Sequence, residues 1–286
     1  MNQENIINVI ISTINTIFSN IFSSIDSNLY ESLDDVTFID SNILKTSIFE
    51  KLLNSSGNYT LIYLADSMLV ACLIFYIIKY YYSNFVETDV EKPSQFIFKL
   101  IIFSVFVNFS YFLFEQLFDI AYFISGGIQE IGKSATSHEV TFQEFIKFVN
   151  KKSYMSGELN LFSFDGILKS FVTVQLLELM LSYSLRYILL QTLILLSPFI
   201  ILSLINRSTS WIFKAWGKCI LYLIMIQVFI PIVLIIIFSI DDSNRILFIA
   251  GLYALTRLNS YVREMFGGIS LDVGGSFTSM LSGFKI

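Results

Sequence analysis

The sequence has few of the residues that most catalytic and metal sites use. Among its 286 residues are two cysteines, one histidine and three prolines, and only 14% of the residues are charged. Cys72 and Cys219 lie within or beside long apolar stretches, which favours a small apolar packing role over a disulfide or a metal ligand. His138 has no cysteine near it and no acid at convincing ligand spacing, and no serine, histidine and acid combine into a triad. We therefore expect no enzyme activity, metal or cofactor.

Apolar residues dominate what is present. Hydrophobic residues make up 55% of the chain, and the mean hydropathy is +0.69, which exceeds the usage of soluble globular domains. Several stretches approach the roughly 20 apolar residues that a helix needs to cross a bilayer. We therefore predict an all-α, polytopic integral membrane protein with about five transmembrane helices. The predicted spans are Leu61–Tyr82, Phe96–Asp119, Tyr187–Ile205, Cys219–Ile240 and Ile246–Val262.

The segments between the last spans indicate how the chain sits in the membrane. Residues 206–218 carry basic residues, no acid and both tryptophans, which is typical of a cytoplasmic boundary, whereas the turn after Ile240 is acidic. The many phenylalanine, tyrosine, isoleucine, asparagine and lysine residues, whose codons are AT-rich, favour a bacterial source. We predict a multi-pass protein of the bacterial cytoplasmic membrane, with its N-terminus outside and its C-terminus in the cytoplasm. The cytoplasmic segment offers residues for docking a partner. These are Arg207, Trp211, Phe213, Lys214, Trp216 and Lys218.

The chain divides into segments of different polarity. Apolar residues recur at helical spacing over Asn5–Ile25, which predicts an amphipathic helix. A cleaved secretory signal has basic residues before its apolar stretch, and this segment has none, so we do not interpret it as a signal peptide. Residues 166–197 contain no turn signal after their first glycine and predict one helix of about 48 Å, whose first half projects outside the membrane. The predicted segments are 1–56, the outer helix and an acidic, loop-rich region; 57–125, two spans; 126–165, an outer polar segment; 166–262, the long third helix and the last three spans; and 263–286, a glycine-rich cytoplasmic tail.

One short motif matches a nucleotide-binding pattern. Residues 127–134 read GIQEIGKS, the spacing of a phosphate-binding loop, in which backbone amides and the lysine hold phosphates. That loop follows a buried strand and opens a helix, whereas here a membrane span precedes it and about thirty polar residues follow. We therefore interpret Gly127 and Gly132 as a break between a span and a loop.

A few charged residues fall inside or at the ends of predicted spans. Glu115 and Asp119 lie one turn apart on one helix face, where carboxylates bind cations or relay protons, or lie at the water interface. Glu178 and Arg186 are separated by about 12 Å along a helix, which is too far for a direct pair. The candidate polar membrane residues are Asp66, Glu115, Asp119, Glu178 and Arg186.

Small residues in the last span favour close approach between helices. Ala250, Gly251 and Ala254 form a stripe of the kind that lets membrane helices pack closely, and Pro198 lies within the third span. We predict that these four residues serve helix packing or assembly of a homo-oligomer.

Three stretches resemble the TrbL-type family of polytopic proteins from conjugation and type IV secretion machines. They lie between Leu185 and Ser270 and read LLQTLILLSPFIILSLI, STSWIFKAW and LTRLNSYVREMFGGIS. The resemblance implies a non-catalytic channel or scaffold subunit of the inner membrane. Its implied partners are other membrane subunits of the machine, ATPases on separate chains, further copies of itself and the lipid bilayer. DNA would meet it only as the translocated substrate.

Two other functions are compatible with the sequence. A secondary transporter would use Glu115, Asp119 and Glu178 as coupling carboxylates, although the chain lacks repeated halves. A permease subunit would dock a separate ATPase on residues 207–218. Both remain alternatives to the secretion subunit at this point.

Overall fold

The described part of the chain is built from helices. The computed structural model describes residues 9–10, 12–14, 16–17, 31–53, 60–86, 90–153, 164–206, 209–240 and 245–266. All regular structure in these residues is helical, which confirms the all-α prediction. Beside a 3₁₀ turn over Ser41–Lys45, the helices are α1 (Glu31–Thr37), α2 (Ser47–Leu53), α3 (Leu61–Val86), α4 (Pro93–Thr136), α5 (Phe142–Ser153), α6 (Phe164–Leu195), α7 (Ser197–Leu202), α8 (Ser210–Phe238) and α9 (Arg245–Phe266).

Three helices of the described chain are long and apolar enough to cross a membrane, and they are α3, α4 and α8. The apolar windows of α3 and α4 are only 17% buried within the chain, against 56% for α8. Large apolar side chains such as Phe75, Phe98 and Phe123 therefore point away from the molecule. The predicted spans Tyr187–Ile205 and Ile246–Val262 are not among these three helices.

Helix α4 is longer than the predicted second span. It continues past Asp119 to Thr136, so its 44 residues extend about 66 Å. Gly126, Gly127 and Gly132 all lie inside this helix, and our interpretation of Gly127 and Gly132 as a span-to-loop break is wrong. A glycine costs only about 1 kcal/mol in a helix interior, and the last turns of α4 pack closely, since Gly132 lies against Ile235 and Val140. The helix ends at Ser137, which has a left-handed backbone with φ of 59° and donates its N–H to the Lys133 carbonyl.

Contacts between α3, α4 and α8 fix their directions. Tyr76 stacks on Phe96 with ring centroids 3.9 Å apart near the end of α3 and the start of α4, so these helices are antiparallel. Trp216 lies edge-on to Phe114, with centroids 5.7 Å apart. The other end of α8 approaches α4 at Gly132, beside Ile235. Helices α4 and α8 therefore run parallel, and the chain between them must return along the bundle.

Helices α6 and α7 make that return. Trp216 Nε1 of α8 donates to the Leu193 carbonyl of α6 at 3.0 Å, and Arg186 contacts Leu223, so α6 is antiparallel to α8 here. The predicted helix over 166–197 is observed as α6. The predicted span Tyr187–Ile205 is interrupted, because α6 ends at Leu195 and Pro198 opens the separate helix α7, as proline favours a first helical turn.

Helix α9 runs back along α8. Gly251 lies against Ile237, so the start of α9 meets the end of α8. The main core surrounds α8 and includes fully buried Leu190, Ile226, Leu234 and Leu255. A smaller cluster joins α3, α4 and α7 through residues such as Leu69, Val107 and Ile201.

The acidic region after residue 30 is part of the bundle, and the prediction of a loop-rich segment is wrong for residues 31–53. Leu33, Ile39, Ile43 and Phe49 are buried in the main core. Asp34 caps α5, because its carboxylate oxygens accept the backbone N–H groups of residues 142 and 143 at 2.7 and 3.1 Å. Burial raises the pKa of Asp34 above its usual range, and these two hydrogen bonds, which favour the charged form, offset the rise only in part.

Several predicted segments lie partly or wholly outside the described residues. Of the amphipathic helix over Asn5–Ile25, residues 9–10, 12–14 and 16–17 are described; they are helical, and Val9, Ile10 and Ile17 are exposed. The outer polar segment 126–165 contains the end of α4 and all of α5, so it is helical over much of its length. The glycine-rich tail lies outside the described residues after Phe266.

Candidate functional site: a buried arginine and an adjoining cleft

Arg186 lies in the interior, among α1, α6 and α8. It is 2% exposed and is the largest of the side chains that are almost completely buried in the described chain. Its Nε donates to the Leu223 carbonyl at 2.7 Å, its Nη1 to the Thr37 carbonyl at 2.9 Å and its Nη2 to Gln227 Oε1 at 3.4 Å. One side chain thus ties three helices together.

Gln227 completes this arrangement from α8. Its Oε1 also accepts the backbone N–H of Ile39 at 3.2 Å. Two donors converge on this atom, so the hydrogen bonding identifies it as the oxygen of the amide. The Nε2 of Gln227 is buried and has no hydrogen-bond partner among the described residues, which costs about 1–3 kcal/mol.

The connector between α1 and the 3₁₀ turn explains why polar side chains are needed here. Residues 38–40 leave the helix while they are packed against apolar helices. The Phe38 N–H still donates to the Asp34 carbonyl at 2.8 Å, but the backbone groups that follow lose the regular helical pattern and need other partners. Arg186 satisfies the carbonyl of Thr37 and Gln227 satisfies the N–H of Ile39. A positive group at the carboxyl end of α1 also complements the helix dipole.

A small cleft adjoins Arg186 on its side facing α9. The cleft has a volume of about 60 Å³. Four charged side chains line it: Glu178 and Arg186 of α6, and Arg257 and Arg263 of α9. The neutral polar residues of the lining are Ser182, Tyr222, Thr256, Asn259 and Ser260.

Hydrogen bonds hold the α6 and α9 walls of the cleft together. Asn259 Nδ2 donates to Ser182 Oγ, and Thr256 Oγ1 donates to Gln175 Oε1 at 3.1 Å. Arg257 is aligned along α9, because its Nε donates to Tyr253 Oη at 3.1 Å and its guanidinium lies 5.3 Å from the centre of that ring. The lining contains three guanidinium groups and one carboxylate, so the arrangement is suited to holding an anion.

The predicted docking segment divides into exposed and packed residues. Trp211, Lys214 and Lys218 are exposed and follow one another at spacings of three and four, so they share one face of α8. Phe213 and Trp216 instead pack inside, with their ring centroids 5.5 Å apart. Trp216 is 9% exposed, so it contributes little to any docking surface. Arg207 lies outside the described residues.

The candidate carboxylates are not brought together. Glu115 pairs with Lys45 at 3.4 Å, and Asn108 Nδ2 of α4 donates to Asp66 Oδ1 of α3 at 3.4 Å. Asp119 is exposed and lines a different cleft near the carboxyl end of α4. Glu178 alone lines the cleft beside Arg186, so these positions do not form a shared site of coupling carboxylates.

The small residues of the last predicted span serve mainly the packing of helices within the chain. A Cβ added to Gly251 would lie 2.6 Å from Ile237 Cγ1, so this glycine permits close contact between α9 and α8. Ala250 is exposed and Ala254 is half-buried. Pro198 is buried at the start of α7. Gly251 therefore supports internal packing and is not available as an oligomer contact.

The residues that match the nucleotide-binding pattern lie inside a helix. Residues 127–134 are all helical in α4, so their backbone N–H groups cannot form a phosphate-binding loop. Lys133 pairs with Glu139 at 2.9 Å. In the described chain, no group of three or more His, Cys, Asp or Glu side chains is arranged to hold a metal ion.

The partners of Arg186, which are Gln227 and the backbone carbonyls of Thr37 and Leu223, were not predicted from the sequence. Gln227 did carry a signal, because a single amide within the apolar run of α8 indicates a buried hydrogen bond. The two backbone groups carried none.

No family model matches the chain, and neither a curated protein nor a solved structure matches it.

Proposed function

We propose that this chain is a multi-pass protein of the bacterial cytoplasmic membrane. The observation that supports this is the exposure of two long apolar helices, α3 and α4, whose outward faces carry phenylalanine, isoleucine and leucine along their length. An apolar surface of this size is unfavourable in water and favourable in lipid or against another membrane protein.

Five crossings agree best with the helix directions. Because α4 and α8 run parallel, α6 and α7 must bring the chain back between them, and α9 returns it once more. Helix α6 carries Glu178 and Arg186, which keeps its mean hydropathy low, but Arg186 faces protein and not lipid. Five crossings would put the two termini on opposite sides, and the basic residues of the 206–218 segment favour a cytoplasmic C-terminus.

Within that membrane, we propose a non-catalytic channel or scaffold subunit of a type IV secretion machine for conjugative DNA transfer. The three stretches that resemble the TrbL-type family lie largely in α6 to α9, the elements around the main core. The exposed stripe of Trp211, Lys214 and Lys218 is suited to a cytoplasmic partner such as a secretion ATPase. The outward faces of α3 and α4 are suited to other membrane subunits or further copies of the chain.

Cross-linking in the native host at native expression tests the secretion role. Detergent extraction followed by mass spectrometry should recover secretion ATPases and a relaxase with this chain. Recovery of homodimers alone would contradict the proposal and favour a transporter.

A charge substitution on the stripe makes this test specific. Lys214→Gln should lower ATPase recovery several-fold, because it removes an exposed positive charge from the docking face. Lys147→Gln removes a charge that is also exposed, from α5, and should leave recovery unchanged. Equal loss in both variants would exclude the stripe as the docking surface.

A further inference from the structure

We propose that the cleft between α6, α8 and α9 binds a negatively charged phosphate group, supplied by the headgroup of an anionic lipid. This inference rests on the membrane location proposed above and is independent of the secretion role. The charge, the size and the depth of the cleft support it.

Charge is the first reason. Three arginines and one glutamate line the cleft, so its ionised side chains sum to a positive charge. Arg186 and Arg263 approach it from different helices, and both lie near enough to Tyr222 for their charges to act on its hydroxyl. Guanidinium groups present paired N–H donors that match the oxygens of a phosphate.

Arg186 also lacks a counter-charge. Three of its five N–H donors are used, and all three acceptors are neutral carbonyl or amide oxygens. No carboxylate forms an ion pair with it among the described residues, and Glu178 lies about 12 Å away along α6. A buried charge is costly unless an opposite charge compensates it. An anion in the adjoining cleft would supply that compensation.

Asn259 adds a second polar group without a partner. Its Oδ1 is buried and has no hydrogen-bond partner among the described residues. A half-turn of the side-chain amide keeps the contact with Ser182, whose hydroxyl then donates, and leaves an N–H as the group in need of a partner. In that flipped orientation, which an anion in the cleft would favour, the amide N–H is a further donor on the wall of the cleft.

Size decides the ligand class. A volume of about 60 Å³ is several times the roughly 10–15 Å³ that one water molecule needs. That space is suited to a single phosphate-sized group and is small for a whole nucleotide or a folded peptide. The rest of a larger ligand must stay outside the cleft, as the acyl chains of a lipid do.

Depth identifies the source of the phosphate. Leu223 and Ile226 lie near the middle of α8, while Arg257 and Arg263 lie in the last half of α9, which approaches the amino end of α8. The cleft therefore extends from mid-bundle toward the end that carries Trp211 and Lys214. In the proposed orientation this is the cytoplasmic leaflet, where basic pockets between membrane helices bind anionic headgroups.

Thermal unfolding of the purified full-length protein in neutral detergent tests the inference. Phosphatidylglycerol, phosphatidylcholine and inorganic phosphate are titrated separately. We expect phosphatidylglycerol to raise the unfolding temperature and phosphatidylcholine to have little effect. Arg263→Gln should raise the half-saturating phosphatidylglycerol concentration about tenfold, the effect of losing about 1.4 kcal/mol of binding free energy. Arg263 is only partly buried, so this variant should still fold.

Lys79→Gln is the matched control, because Lys79 is an exposed cation of α3 that does not line the cleft. Equal effects of the two variants, or equal stabilisation by both lipids, would overturn the inference. Stabilisation by inorganic phosphate alone, sensitive to Arg263→Gln, would overturn the lipid source. A protein that leaves membranes in alkaline carbonate would contradict the membrane location itself. If the protein needs detergent but phosphatidylglycerol does not raise its unfolding temperature, only the assignment of the cleft is overturned.

Discussion

At the scale of single residues, the interior of this protein is organised around Arg186 and Gln227. An arginine with neutral partners is an expensive group to bury, and it persists here because a non-helical connector needs its donors. The same two side chains hold the connector after α1 against α8. Their hydrogen bonds therefore decide where the segment after residue 30 lies.

Substitution of Gln227 measures these hydrogen bonds. Gln227→Leu removes the acceptor of both the Ile39 N–H and Arg186, so we expect the free energy of unfolding to fall by about 2–3 kcal/mol. Gln227→Glu keeps an acceptor, removes the unpartnered Nε2 and places a carboxylate beside Arg186. We expect this variant to gain about 1 kcal/mol. Denaturation of both variants in one detergent is the measurement, and a Gln227→Leu protein as stable as the parent would exclude the role given to these bonds.

At the scale of the elements, two glycines of α4 differ in how closely other side chains approach them. A Cβ on Gly132 would lie 2.5 Å from Ile235 Cγ1 and 2.6 Å from Val140 Cγ2, so a larger residue would push α8 away. A Cβ on Gly127 would meet nothing within 4 Å. Of these two glycines, only Gly132 is needed for the close approach of α4 and α8.

Alanine substitutions at these glycines form a matched pair. Gly132→Ala should lower the free energy of unfolding by about 1–3 kcal/mol, the usual cost of overpacking. Gly127→Ala should be neutral or stabilising by up to about 1 kcal/mol, because alanine favours the helix. Thermal unfolding of the two proteins compares them directly. Equal destabilisation would instead indicate that both positions need glycine, as a phosphate-binding loop would.

At the scale of the whole molecule, the parallel arrangement of α4 and α8 has a consequence for topology. If α6 and α7 cross the membrane between them, Lys147 and Lys214 lie on opposite faces. If only α3, α4 and α8 cross, the two positions share a face.

Cysteine labelling separates the two topologies. In a background with Cys72 and Cys219 replaced by alanine, Lys147→Cys should react with an impermeant maleimide in intact cells. Lys214→Cys should react only after the membrane is opened. Both side chains are exposed, so a lack of reaction reports the membrane and not burial. Labelling of both in intact cells would contradict five crossings.

The sequence by itself determined the all-α class, the apolar helices predicted over Leu61–Tyr82, Phe96–Asp119 and Cys219–Ile240, and the helix predicted over residues 166–197, which is observed as α6. Apolar runs and the absence of turn signals are local properties, so the sequence alone shows them. Only the tertiary structure decided the extent of α4, the break before Pro198 and the packing of Trp216 and Gly251, since these depend on neighbours distant in sequence. It also decided that Arg186 joins three helices, because its partners are mainly backbone groups, which every residue carries and no sequence pattern distinguishes.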